Sequence, residues 1–202
     1  MAAPSDNSID TPLKNLSPLT GEGVIIDIGT GDGRFVYQAA RQNPNKFYIG
    51  IDPNVSPLEK ISEKIHRKPS KGGAANVLFI QAAVEDLPLE LDGVADEVHV
   101  HFPWGSLLRA LATGDVDVLR NLRRICSTGA MLEVVINDHI PDQLIDRYRS
   151  AGFEVLEHGF MSTADWSHLQ TTWARRLKQN EHRSVFYLIC RAVLYDERRQ
   201  LG

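Results

Sequence analysis

The chain lacks the features that would make it a disulfide-built, membrane-spanning or secreted protein. Two cysteines, Cys126 and Cys190, are all it has in 202 residues. They stand far apart in apolar surroundings and match no metal-ligand spacing, so buried reduced thiols are expected and a disulfide framework is excluded. No stretch of about 18 apolar residues occurs and Met1 to Asp10 is polar, so neither a membrane span nor a secretory signal is visible and a cytoplasmic location is expected. An excess of positive charge is also missing, with 22 Lys and Arg against 26 Asp and Glu. A surface coated for nucleic acid is thereby excluded, and any such contact must come from local basic runs. Internal repeats and linkers are absent, and the length suits one domain with a sizeable core.

What is present is a glycine-rich turn between two apolar runs. Val24 to Ile28 reads as a buried parallel strand, and Gly29, Gly31 and Gly33 follow where a helix begins, letting backbone N–H groups approach a ligand. Phe47 to Ile51 reads as a second strand closed by Asp52, about 20 residues onward, where a carboxylate can bond the two hydroxyls of a ribose. A dinucleotide fingerprint would read Gly-x-Gly-x-x-Gly. Here the spacing is Gly-x-Gly-x-Gly, with Asp27 ahead of it and Asp32 inside it. Two carboxylates repel a pyrophosphate and suit the ammonium end of S-adenosylmethionine, which favours a methyl donor over a nicotinamide or flavin.

Strands are expected at Val24 to Ile28, Phe47 to Ile51, Val77 to Gln81, Glu97 to Phe102 and Met131 to Ile136. Helices are expected at Arg34 to Gln42 and Pro57 to Arg67, the latter ended by Pro69 and Gly72-Gly73. Further on come a helix from Asp142 to Ser150, a strand from Phe153 to Glu157, a helix near Thr163 to Lys178 and a last strand from Ser184 to Arg191. The alternation predicts an α/β fold with a mostly parallel sheet. Ligands of such sheets lie outside the carboxyl ends of the strands, which gathers Gly29 to Gly33, Asp52-Pro53, Ala82 to Glu85 and His101 to Ser106 around one crevice. Ala83 and Val84 can wall an adenine ring with Glu85 at its polar edge, while Glu85 and Asp86 could equally cap a short helix.

Two aromatic positions and two basic runs remain to be read. Trp104, in Phe102-Pro103-Trp104-Gly105-Ser106, leaves the fourth strand, and Trp173 precedes Arg175 and Arg176. Either indole could simply pack in the core, or the pair could clamp a base extruded from RNA. Trp166, without an adjoining basic group, suits packing. Ring nitrogen N1 of adenine has its own lone pair, so positioning is the main need; indole faces then favour the cationic product by about 0.5–2 kcal/mol each, and no metal is required. The run holding Lys60, Lys64, Arg67, Lys68 and Lys71, and that holding Arg175, Arg176, Lys178 and Arg183, could contact phosphates or form solvated helix faces interleaved with Glu59, Glu63 and Glu181.

The chain resembles the aminoglycoside-resistance 16S ribosomal RNA adenine-N1 methyltransferases, known for kanamycin and apramycin resistance. The motifs are Asp27-Ile28-Gly29-Thr30-Gly31-Asp32-Gly33, Phe47-Tyr48-Ile49-Gly50-Ile51-Asp52-Pro53, Lys68-Pro69-Ser70-Lys71-Gly72-Gly73, Phe102-Pro103-Trp104-Gly105 and Trp173-Ala174-Arg175-Arg176-Leu177. The first two are widespread among methyltransferases and the last three far more specific. Met1 to Gly21 is poorly patterned and is expected to be partly disordered; for residues 22–202 the resemblance implies a Rossmann-like class I fold of seven strands with an antiparallel last strand. It implies a monomer, not bound to membrane, that uses S-adenosylmethionine, releases S-adenosylhomocysteine and acts on the 30S subunit.

By position, the resemblance gives Asp27, Gly29, Gly31, Asp52, Val84 and Glu85 to the donor, with Ser106 and Thr171 at the same pocket. It gives Trp104 and Trp173 to the flipped adenine, and Lys64, Arg67, Lys68, Lys71, Arg176 and Arg183 to RNA phosphates. The chain departs from the family in showing no paired strands within Met1 to Gly21, only one short helix within Asn137 to Gly152, and Glu63 and Glu181 where some members are basic. These departures bear on 30S docking and leave the donor pocket intact.

Overall fold

The computed structural model describes residues 22–162 and 184–194. Its sheet has seven strands, β1 (Val24–Ile28), β2 (Phe47–Ile51), β3 (Val77–Ile80), β4 (Ala95–His101), β5 (Cys126–Ile136), β6 (Phe153–Ser162) and β7 (Ser184–Ala192), in the order β3-β2-β1-β4-β5-β7-β6. The first five are parallel. β7 lies between β5 and β6 and runs antiparallel to both. This is the expected Rossmann-like α/β sheet, with its topological switch between β1 and β4.

β1 and β2 are buried along their whole length. Such strands are covered on both faces, which is why they read as unbroken apolar runs. Val24, Ile26 and Ile28 face one core with Ile49, Val98, Leu132 and Val134, covered by Leu111 of α3 (Gly105–Thr113), Leu119 and Leu122 of α4 (Val116–Ile125) and Tyr148 of α5 (Leu144–Ser150). Ile25 and Tyr48 face the other side, under Val36, Tyr37 and Ala40 of α1 (Arg34–Gln42) and Ile65 of α2 (Glu59–Ile65).

Local chemistry sets the helix ends. Asp115 caps α4, its carboxylate accepting the amides of Asp117 and Val118 at 3.1 Å each, and Val118, Leu119, Leu122 and Ile125 form the buried stripe. α1 ends as expected before Pro44, where the Asn43 side-chain amide donates to the Ala39 carbonyl at 2.9 Å.

Several boundaries differ from the pattern. α2 is shorter than Pro57 to Arg67, because Ser56–Leu58 forms a 3₁₀ turn before it and the chain folds back on its end. There the Ala74 amide donates to the Ile65 carbonyl, and a Cβ on Gly73 would lie 1.6 Å from the Arg67 oxygen. Only glycine fits that return, which explains Gly72-Gly73 physically. β3 stops one residue early, at Ile80. β4 ends at His101 because Phe102 is left-handed, with φ 51°. β5 starts earlier, at Cys126, and β6 runs on to Ser162 across a bulge between Val155 and Glu157. The helix expected near Thr163 to Lys178 and the extension over 1–21 lie outside the described residues.

Both cysteines are free and buried, and burial pushes each thiol up to about 12. None of the described helices is long and apolar enough to cross a membrane.

Leu122 is fully buried against the sheet. Leu122→Ala is expected to cost about 2–5 kcal/mol, read as a lower urea midpoint at unchanged slope.

Candidate active site

The turn after β1 is tied to the end of β2 by three contacts. The Gly29 and Thr30 amides donate to the Ile51 carbonyl at 2.8 and 3.1 Å, and the Gly31 amide donates to the Asp52 carboxylate at 2.9 Å. Asp52 also accepts the Asn54 amide, at 2.8 Å through its other oxygen. Each carboxylate oxygen keeps a second lone pair for a ligand hydroxyl. Gly29, Gly31 and Gly33 have φ of 75°, 60° and 67°, a conformation other residues rarely adopt.

A cavity of about 340 Å³ opens at this edge, within the size range of small-molecule sites. Gly29, Asp52, Val84, Glu85, Trp104 and Ser106, all named from the sequence, line it. Val84 is buried and Glu85 exposed, and both carbonyls are pinned by the Asn121 side-chain amide of α4, at 3.1 and 3.2 Å. Val84–Asp86 forms a 3₁₀ turn in which neither acidic side chain acts as a cap. Trp104 is 73 % exposed at the cavity wall, which removes the packing alternative for this indole. It extends from Phe102, whose ring is buried with Val135 and Val185 and whose amide donates to the Val135 carbonyl at 2.8 Å.

Asp27 and Gly31 do not line the cavity. Gly31 acts through its bond to Asp52. Asp27 is buried beneath the turn, where burial raises its carboxyl above the usual range against the opposing pull of His101. Asp32, expected to add open negative charge, instead lies 3.4 Å from the Arg34 guanidinium and accepts the Arg34 amide at 3.2 Å. The acidity facing a ligand therefore comes from Asp52 and Glu85.

Lys64, Arg67, Lys68 and Lys71 gather around the end of α2 and the following turn, the last three exposed. Lys64 places its ammonium 4.6 Å from the centre of the Tyr37 ring, and Tyr37 donates to the Gly72 carbonyl at 2.8 Å. Among the described residues none of these four cations sits in an ion pair, unlike Lys46, Arg124 and Arg191. Trp166, Thr171, Trp173, Arg176 and Arg183 lie outside the described residues.

Asn54, Leu107 and Asn121 are site residues the sequence reading passed over. Their signal was weak, since Asn and Leu are ordinary at helix starts and faces. A stronger signal was missed: His99 and His101, two apart on β4, share a face with Glu97 and meet Glu133 of β5. Burial alone would lower the His99 pKa, but hydrogen bonds to Glu133 and Glu97 outweigh it and raise it to about 9. Glu97, bonded to His99 and Lys46, is held down to about 2.

Sheet order, glycine turn, carboxylate at the end of β2 and cavity at the topological switch define a class I methyltransferase that uses S-adenosylmethionine. The family profile of the 16S rRNA (adenine(1408)-N(1))-methyltransferases matches residues 13–192, and the chain belongs to that family. A curated relative of that description from Streptoalloteichus tenebrarius is 36% identical over 181 residues, covering 80% of this chain and 83% of its own. Among solved structures, the aminoglycoside resistance methyltransferase NpmB1 superposes with a TM-score of 0.78 at 43% identity, over 90% of this chain and 93% of that one. A tryptophan-to-alanine mutant of the enzyme from Catenulisporales acidiphilia, solved with cosubstrate SAM, gives 0.81 at 31% identity over 94% of each chain.

A Cβ at Gly33 would lie 2.7 Å from the Phe79 ring and 2.9 Å from Leu58, whereas one at Gly31 meets nothing within 4 Å. Gly31→Ala therefore bears only the left-handed backbone cost of about 1–2 kcal/mol. Gly33→Ala adds overpacking of about 1–3 kcal/mol. Urea denaturation of the two variants should rank them in that order.

Proposed function

We propose that this protein methylates N1 of the adenine at position 1408 of 16S ribosomal RNA in the assembled 30S subunit, and thereby gives resistance to aminoglycosides such as kanamycin and apramycin. The observation that carries the reading is Trp104, an exposed indole held at the wall of the donor-sized cavity by the buried Phe102 before it. Family membership supports the substrate.

S-adenosylmethionine supplies, when bound, a methyl group activated by its sulfonium charge. The cavity residues fit it: Asp52 presents carboxylate lone pairs suited to the ribose hydroxyls, Ala83 and Val84 form an apolar wall for the adenine, and Gly29 lets the backbone come close. The protein's remaining work is positional. Adenine N1 needs no general base, so the chain must take the base out of its stack, hold it flat and aim N1 at the methyl. Trp104 is the stacking surface, and Trp173 is assigned as its counterpart. Indole faces also favour the positive charge that methylation leaves on the ring.

Lys64, Arg67, Lys68 and Lys71, with Arg176 and Arg183, are assigned to RNA phosphates. Cations without carboxylate partners among the described residues release counterions when they meet a phosphate backbone. Ser106 lines the pocket, Thr171 is assigned to it by the resemblance, and Asp27 steadies the turn above it. The protein works as a cytoplasmic monomer on this reading.

Trp104→Ala should lower methylation of purified 30S subunits, mapped by primer extension, by roughly 5- to 150-fold, the equivalent of about 1–3 kcal/mol of base stacking. Its donor affinity by calorimetry should stay within a few-fold of the parent. Undiminished turnover would remove the indole from base recognition. Asp52→Ala should do the reverse in binding, weakening the donor by roughly 10- to 150-fold, as expected for a charged hydrogen-bond acceptor worth about 1.5–3 kcal/mol.

A further inference from the structure

On the α1 side of the sheet, next to the donor site but outside its cavity, β4 and β5 bring together side chains that neither the cofactor nor the base requires. We propose that His99, His101 and Glu133 bind one divalent transition cation, zinc foremost, which clamps β4 to β5 beneath the loop that carries Trp104.

The spacing of the donor atoms is the first argument. His99 Nδ1 lies 3.4 Å from His101 Nε2 and 3.5 Å from Glu133 Oε2, and His101 Nε2 lies 3.4 Å from Glu133 Oε1. Tetrahedral zinc, with bonds of about 2.0–2.1 Å to nitrogen and oxygen, has ligand-to-ligand edges of about 3.3–3.4 Å. One ligand atom from each residue lies within 4.8 Å of the other two, so closure of about an ångström around a cation brings them to such a face. Two imidazole nitrogens and a carboxylate thus stand close enough to share one ion.

The donor set is the second. Two imidazoles and one carboxylate suit zinc and its neighbours among the first-row transition metals, whereas calcium and magnesium take oxygen ligands. An outer partner is also present. His99 Nε2 lies 3.4 Å from Glu97 Oε2, and Glu97 Oε1 is held by Lys46 at 2.9 Å. A histidine that binds metal through one nitrogen commonly donates its other N–H to a carboxylate, which fixes the ring.

The third is that the scaffold is rigid and sheltered. His99 stands opposite Glu133 in the parallel register, and His101 follows on the same face of β4. The three side chains are 15 %, 2 % and 26 % exposed. Phe35 of α1 covers both imidazoles, its ring centre 5.7 Å from that of His99 and 5.4 Å from that of His101. A cation here fixes the spacing of β4 and β5 one residue before Phe102. A proton shared among the same groups is the competing occupant, and it makes no demand on the identity of a metal.

Cobalt(II) titration of the full-length metal-free chain tests the site. The expected result is one equivalent bound with the intense visible bands of tetrahedral cobalt, displaced by zinc. Glu133→Gln and His99→Gln should abolish the bands while circular dichroism shows the fold retained. Glu97→Gln should weaken binding by about 10- to 100-fold, as an outer partner does. His158→Gln, a histidine elsewhere in the sheet, should leave the titration unchanged. Absence of equimolar binding, or bands that survive both ligand variants, would overturn the proposal in favour of the shared proton.

Discussion

Asp52 is the residue on which the functional edge of this protein depends. Its two oxygens accept the amides of Gly31 and Asn54, so one carboxylate joins the turn after β1 to the turn after β2. The Ile51 carbonyl just before it receives the Gly29 and Thr30 amides. The cavity floor is thus assembled from backbone bonds between two buried parallel strands, and its shape does not wait for a ligand. Preorganisation of this kind spares binding the cost of ordering a loop.

The rest of the edge is built outward from that floor. α4 fixes the Val84 and Glu85 wall of the cavity through Asn121, and β5 and β7 bury the Phe102 ring from which Trp104 projects. The two halves of the sheet therefore divide the work. β1 to β4 carry the residues that surround the cavity, while β5, β7 and β6 supply the packed mass that holds the fourth strand end in place. No residue of the short connection through α5 lines the cavity, in keeping with a departure that affects docking of a large substrate rather than the donor site.

How much of this was legible in the sequence follows from the physics of each signal. Runs such as Val24 to Ile28 and Phe47 to Ile51 were plain because strands buried on both faces must be apolar throughout. The glycine turn and Asp52 were plain because positive φ, and a carboxylate that ties two strand-end turns together, demand particular residue types at fixed spacing. Trp104 could not be settled from the chain alone, since burial decides between packing and stacking and only the fold shows the indole exposed. Asp32 misled for a similar reason: its charge was countable, but its pairing with Arg34 depends on how the turn presents it. The length of α2 was misjudged because the chain returning through Gly73 ends it, a tertiary contact that helical periodicity cannot register. The histidine cluster needed two strands in register before it became a cluster at all.

Phe102 combines a backbone conformation that disfavours its residue type with a ring that the core requires. A left-handed non-glycine residue costs about 1–2 kcal/mol, and burying a large aromatic side chain returns about as much or more. Glycine or asparagine would relax the backbone and leave the core underfilled, while valine or isoleucine would worsen the backbone. Backbone and core together therefore favour a large unbranched side chain at this strand end. The loop that carries Trp104 is guarded against drift by a residue that does not itself line the cavity.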